Sequence, residues 1–236
     1  MSTDRALRLA RQSTHRHGFV VLRRSGVCVV RDESRCPSTV TGRTRRSEQQ
    51  VDLSDLLDSR RTIRDFSSRL VEADDLVHVL WAAQGQTSDG RRTTPSAGGR
   101  YPLQLVVARG PQSPGTWTWS PQSRILVPRG TRDVRAELAA AVVGDQPWVL
   151  AAPVTVAFCA DVAATVEHFA DQPPAGRGRR YVDVEIGAAV QNLALSCTAR
   201  GLGGVIVGGF DDGLVAETLD LDAYEPRLLF SLGYPA

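Results

Sequence analysis

No lysine occurs anywhere in the 236 residues, so all 28 basic side chains are arginine. Schiff-base chemistry, a phosphate-loop lysine and a lysine general base are thereby excluded, because a guanidinium stays protonated. Cysteine is sparse as well. Cys28, Cys36, Cys159 and Cys197 form no C-x-x-C pair and have no histidine at zinc spacing, which argues against a disulfide framework or a metal site. They read as free thiols, with Cys159 and Cys197 buried. No apolar run reaches the length of a membrane span, and no hydrophobic segment follows the first arginines. The expected protein is cytoplasmic, with no membrane contact. G-x-S-x-G, H-E-x-x-H and Walker signatures are missing. "RGLGGVIVGGF" lacks the third glycine of a dinucleotide fingerprint and follows a helical segment where that fingerprint must follow a strand.

Charge divides the chain. Residues 1–46 carry 11 arginines against Asp4, Asp32 and Glu33, whereas the remainder carries 17 arginines against 23 acids. Residues 1–50 therefore read as a basic N-terminal extension, and 51–236 as the main domain. Inside the extension, "FVVLRRSGVCVV" reads as two short strands around a turn at Arg24-Ser25-Gly26, a hairpin too small to be stable alone. No aromatic platform or recognition helix accompanies the arginines, so a nucleic-acid partner is not expected.

The main domain alternates irregularly between helical and strand periodicity. "DLSDLLDSRR" suits a short helix capped near Asp52, and Glu72–Gln84 places Leu76, Val79, Leu80 and Ala83 on one face before Gly85. Strands are predicted at Leu103–Ala108, Thr116–Trp119, Arg124–Val127, Pro153–Cys159, Val205–Val207 and Leu228–Leu232, with helices at Arg132–Val143 and Asp211–Leu219. Tyr181–Arg200 is apolar at helical spacing on both sides, which predicts a helix buried on most faces. The whole is an α+β domain, a sheet with one central helix.

Three clusters stand out. "SRRTIRDF" crowds Arg60, Arg61 and Arg64 with Thr62 at a helix end, a repulsion that an anion would relieve. "PSAGG" puts Pro95, Ser96, Ala97 and Gly98 ahead of a strand, either for a tight turn or to let a flat or anionic ligand reach the backbone. Gly203, Gly204, Gly208 and Gly209 bracket another strand, where exposed N–H groups suit a flat ligand. His15 and His17 fall in the basic arm, and His78 and His168 read as isolated surface residues.

"RRTIRDF", "PSAGGRYPLQL", "EIGAAVQNLALSCTARGLGGVIVGGFDD" and "LFSLGYP" occur in the order that resembles the flavin-dependent nitroreductase superfamily, and within it the SagB-type peptide and azoline dehydrogenases. The resemblance spans about residues 52–235. It implies a nitroreductase-like fold with a mixed or antiparallel sheet, FMN as cofactor, and a homodimer whose two FMN sites draw on both chains. By the same resemblance, Arg60, Arg61, Thr62 and Arg64 would hold the FMN phosphate. Pro95–Gly98 would lie along the isoalloxazine ring, and Gly203, Gly204, Gly208 and Gly209 would line it, with a backbone N–H of Gly208 or Gly209 on flavin N5 before Phe210. The azoline-oxidising relatives carry a lysine-tyrosine pair before the central helix; here Arg180 and Tyr181 are the nearest catalytic candidates. A basic C-terminal tail of many relatives has no counterpart in "GYPA", which leaves more of the phosphate to the arginines.

Three functions are compatible with these residues. One is dehydrogenation of a peptide-derived or other natural-product intermediate by hydride transfer to flavin. Another is reduction of a nitro, quinone or dehydroamino-acid substrate fed by NAD(P)H. The last is a catalytically weak subunit docking in a biosynthetic complex, its basic arm engaging a partner protein.

Overall fold

The computed structural model describes the backbone of Phe19–Arg24 and Val27–Asp32 and all residues from 52 to 236. Phe19–Arg24 (β1) and Val27–Asp32 (β2) pair antiparallel, with Phe19 opposite Asp32. Apart from these two strands, the basic extension, including His15, His17, Cys36 and the turn at Ser25-Gly26, lies outside the described residues.

The unit from Val51 to Ala236 is built on a six-stranded sheet in the order β5-β4-β3-β6-β8-β7. Its strands are Leu103–Arg109 (β3), Gly115–Ser120 (β4), Ile125–Gly130 (β5), Val154–Ala160 (β6), Gly203–Val207 (β7) and Glu225–Gly233 (β8). Every pairing is antiparallel. The helices are Leu53–Ser59 (α1), Ala73–Gln84 (α2), Arg135–Ala141 (α3), Trp148–Ala151 (α4), Val162–His168 (α5), Arg177–Ala199 (α6) and Asp212–Thr218 (α7). Asp52, Asp161 and Asp211 each cap a helix by accepting a backbone N–H, at 2.7, 3.0 and 2.9 Å.

Helices cover both faces of the sheet. Leu105 and Val107 point to one side, where Leu76, Leu80, Val182, Ile186 and Leu193 of α2 and α6 meet them. Val106 and Ala108, one residue out of phase, point to the other side, against Leu138, Val149 and Val215 of α3, α4 and α7. Burial on both faces is why β6 is buried at all seven positions rather than at alternate ones.

Several expectations need correction. The helix predicted at Arg132–Val143 spans only Arg135–Ala141, because Asp133 turns back to grip Arg135 with its carboxylate at 2.8 and 2.9 Å. Helices α4 and α5 went unpredicted; one is a single turn, the other too short to show a periodic stripe. The central helix begins four residues earlier than expected, so Tyr181 sits in its second turn. Nor is that helix buried on most faces. Val182, Ile186, Ala189, Val190, Leu193 and Cys197 are buried, while Val184, which made its other side apolar, is 65% exposed. Gly203 and Gly204 lie inside β7 instead of before it.

Candidate functional site

The arginine segment is fixed from both sides. Thr62 is bridged in parallel to Gly204, and the Ile63 N–H donates to the Gly204 carbonyl at 3.0 Å. Further on, Phe66 pairs with Pro235 and the Ser67 N–H donates to the Tyr234 carbonyl at 2.9 Å. Residues 62–67 thus continue the sheet edge beyond β7 and the chain's last residues. At the C-terminus of α1, Arg61 donates to the carbonyls of Asp58 and Arg60, a favourable place for a cation at the negative end of a helix.

This arrangement creates a cavity of about 130 Å³ walled by Arg60, Arg61, Thr62 and Arg64 on one side. Gln191 and Thr198 of α6 form another wall, and Gly203, Gly204 and Phe230 the floor. None of the three guanidiniums is in an ion pair among the described residues. Arg64 instead lies over the Trp148 ring, 5.0 Å from its centroid. Such a donor set, cationic forks beside a hydroxyl and an amide, fits a phosphate.

The glycines at the two ends of β7 have two different reasons. A Cβ on Gly203 would stand 2.3 Å from Ile63 Cγ1, and one on Gly204 would stand 2.3 Å from Phe230 Cε1. Both serve packing against neighbouring side chains. Gly208, by contrast, is exposed with nothing within 4 Å of such a Cβ, and the carbonyl of exposed Gly209 accepts from the Val143 N–H at 2.8 Å. Here the backbone itself is presented to solvent.

"PSAGG" forms a 3₁₀ turn over Ala97–Gly99, with Gly98 at φ 59° and Gly99 at φ 63°. Tyr101 follows at φ 51°, an unusual conformation for a non-glycine residue ahead of a proline, stabilised by its N–H donating to Ser96 Oγ at 2.8 Å. The glycines are needed for the turn, and the turn is in turn held from behind. Asn192 Nδ2 donates to the Thr93 carbonyl and to Thr94 Oγ1, and the Thr94 hydroxyl donates to the Ala83 carbonyl at 2.6 Å. The buried Glu185 carboxyl accepts from Gln84 at 3.1 Å and from the Ser96 hydroxyl. Burial pushes the Glu185 carboxyl up from its ordinary range, against the pull of these donors and of Arg92.

The two parts do not meet within one chain. The arginine cavity takes no residue of 93–101 into its lining. β3, which the turn feeds, and β7 are three strand spacings apart, roughly 14 Å. Helix α6 spans the gap, with Gln191 on the cavity and Asn192 on the turn.

Tyr181 stacks edge-to-face on Phe169 at 4.8 Å, and its hydroxyl donates to Gln172 at 2.7 Å; Arg180 is exposed beside it. Phe169 reaches the turn, its Cζ 3.4 Å from where a Gly98 Cβ would be. Sequence reasoning missed Phe169, Gln191, Asn192 and Glu185. His168 is exposed, as read from the sequence, and its Nε2 lies 3.8 Å from the same Gly98 position. Only the "QN" and "E-x-G" spacing on the central helix gave any signal for these. Among the described residues, no group of three or more His, Cys, Asp or Glu is placed to hold a metal, and no helix is long and apolar enough to cross a membrane.

Comparison with known proteins agrees with this architecture. The chain is 34% identical over 190 residues to a candidate nitroreductase of Methanocaldococcus jannaschii, covering 78% of this chain and 92% of that one. Among solved structures, a candidate nitroreductase from Ralstonia eutropha superposes with a TM-score of 0.68 at 26% identity, over 84% of this chain and 89% of its own. A nitroreductase family protein from Clostridium novyi gives 0.58 at 17% identity, covering 79% and 86%, a likeness of fold. With the Nitroreductase family model matching residues 57–234, the chain belongs to the nitroreductase family and is an oxidoreductase.

Proposed function

We propose that the protein is an FMN-dependent oxidoreductase that dehydrogenates a peptide-derived or other natural-product intermediate. The observation that carries the cofactor is the cavity of Arg60, Arg61, Thr62 and Arg64, three guanidiniums without a carboxylate partner among the described residues, around a phosphate-sized space. Bound FMN would supply a two-electron acceptor at N5. Arg60, Arg61 and Arg64 would bind and orient its phosphate, Thr62 would donate a hydroxyl, and the exposed backbone at Gly208-Gly209 would lie beside N5.

At about 130 Å³ the cavity is smaller than the roughly 300–1,000 Å³ of a whole cofactor pocket, so it takes only one end of the molecule. We infer that a second copy of the chain brings its Pro95–Gly98 turn over the ring, in a homodimer. The open side of α6, with Val184 exposed, supports such a contact. The SagB-type direction rests on the four motifs and their order.

A second reading is favoured by the similarity to a candidate nitroreductase: NAD(P)H reduces the flavin, which then reduces a nitro, quinone or dehydroamino-acid acceptor. The test is the visible spectrum of the purified protein, followed anaerobically on adding NADH or NADPH. Flavin bands that persist support the dehydrogenase. Bands that bleach rapidly favour the reductase, and their absence even after adding FMN overturns both.

A further inference from the structure

Oxidation of a C–N or C–O bond by hydride transfer to flavin also releases the proton on that nitrogen or oxygen, and the residues near the Pro95–Gly98 turn can be sorted by whether they can handle it. Arg100 stays charged. Asp161 is occupied as the cap of α5, accepting from Ala164. The Tyr181 hydroxyl is spent on Gln172, and its ring packs on Phe169. Glu185 lies behind the turn, buried and engaged by Gln84 and Ser96. Cys159 and Cys197 are core thiols.

His168 remains. It is exposed, makes no hydrogen bond or ion pair among the described residues, and stands with Nε2 3.8 Å from the Cβ position of Gly98. Its ring is placed by an edge-on contact with Phe169 at 4.7 Å, and Phe169 is itself wedged between Tyr181 and the turn. A separate cavity of about 190 Å³ opens alongside, lined by Arg100, Tyr101, Pro102, Asp161, Ala164, Thr165 and Tyr224. Ala164, which lines that cavity, and His168 are four residues apart on α5, one helical turn along the same face.

We propose that His168 is the proton donor and acceptor for the substrate, and that the cavity beside Tyr101 and Tyr224 receives the substrate as it approaches the turn. This rests on the FMN reading above. In dehydrogenation a substrate C–H bond breaks with both electrons leaving as hydride to FMN, and the neighbouring N–H or O–H proton passes to His168 Nε2, then to solvent. Molecular oxygen would take the two electrons, with two protons, as hydrogen peroxide and so return bound FMN to its oxidised form. In the reverse direction the protonated imidazole gives that proton to the acceptor. An imidazole accepts a proton at its free nitrogen and returns it as the imidazolium, so one side chain serves both directions.

The test uses the full chain reconstituted with FMN, and the variants His168→Gln, His168→Phe and His168→Ala. Each holoprotein is reduced with dithionite and mixed anaerobically with nitrofurantoin or menadione, and the return of flavin absorbance is timed. Expected are unchanged FMN affinity and unchanged reduction by dithionite, a difference spectrum in the resting flavin bands, and reoxidation slower by about 100-fold. His168→Phe, which keeps the ring contact, is as slow as His168→Gln, and free imidazole restores His168→Ala. Reoxidation at the wild-type rate in all three variants overturns the assignment to His168 while leaving the FMN reading intact. A slow His168→Ala without imidazole rescue and with unaltered flavin bands also overturns it. A wild-type protein that takes no FMN overturns the functional reading itself, and this inference with it.

Discussion

Asn192 Nδ2 lies 3.2 Å from the carbonyl oxygen of Thr93 and 3.2 Å from Thr94 Oγ1, while Gln191, the residue before it, lines the arginine cavity. One turn of α6 therefore serves both halves of the site. Asn192→Ala removes two bonds that hold the segment leading into Pro95, and the apoprotein loses about 1–2 kcal/mol in thermal or urea unfolding. Gln191→Ala leaves stability within about 0.5 kcal/mol, because its side chain is exposed. Both variants weaken FMN binding in a fluorescence titration. Equal stability of the two would sink the division of labour.

Glycine substitutions separate packing from ligand approach. Gly203→Ala and Gly204→Ala each drive a methyl into a side chain at 2.3 Å and destabilise by roughly 1–3 kcal/mol, visible as a lowered unfolding midpoint without any cofactor. Gly208→Ala meets open space and leaves the apoprotein's midpoint in place. If the flavin approaches that backbone, the same variant weakens FMN binding.

The arginine cluster makes a prediction about ligand choice. Arg60→Ala and Arg64→Ala lower FMN affinity tenfold or more, since a charge-assisted hydrogen bond contributes about 1.5–3 kcal/mol. Affinity for riboflavin, which lacks the phosphate, changes little, so the preference for FMN over riboflavin collapses. Apoprotein stability holds in Arg60→Ala, which has no carboxylate partner among the described residues, whereas Arg64→Ala also gives up the Trp148 ring contact, about 0.5–1 kcal/mol. Isothermal titration of both ligands checks the pair of outcomes.

The legibility of this chain was uneven for physical reasons. Helix α2 was read to within a residue because Leu76, Val79, Leu80 and Ala83 repeat on one face and Gly85 stops it. The anion cluster was legible because like charges rarely crowd a helix end without purpose. Burial of α6 was overestimated because an apolar second face, with Val184, looks the same whether it meets the same chain or is left open. The proximity of His168 to Gly98, seventy residues away, was not legible because only the packing of α5 against the turn creates it. The split between the arginine cavity and the turn was equally invisible, being set by strand order.

The last prediction concerns Glu185, buried at 3% exposure behind the turn. Desolvation raises its folded-state pKa above the ordinary carboxyl range, despite the donors Gln84 and Ser96 and the nearby Arg92. The sign follows from linkage. As pH rises past the unfolded value near 4.3, the unfolded chain releases this proton first, so the native state holds more protons and loses stability relative to it. The contribution is fully present below the unfolded value and is gone once pH has passed the raised folded one. Glu185→Gln has no proton to lose and keeps an oxygen to accept from Gln84. Its stability relative to wild type therefore climbs with pH through that window and levels off above it. Parallel urea melts of the two proteins from pH 4 to pH 8 read this directly. A constant difference across the range would mean that the carboxyl keeps an ordinary pKa, held ionised by Arg92 and its two donors.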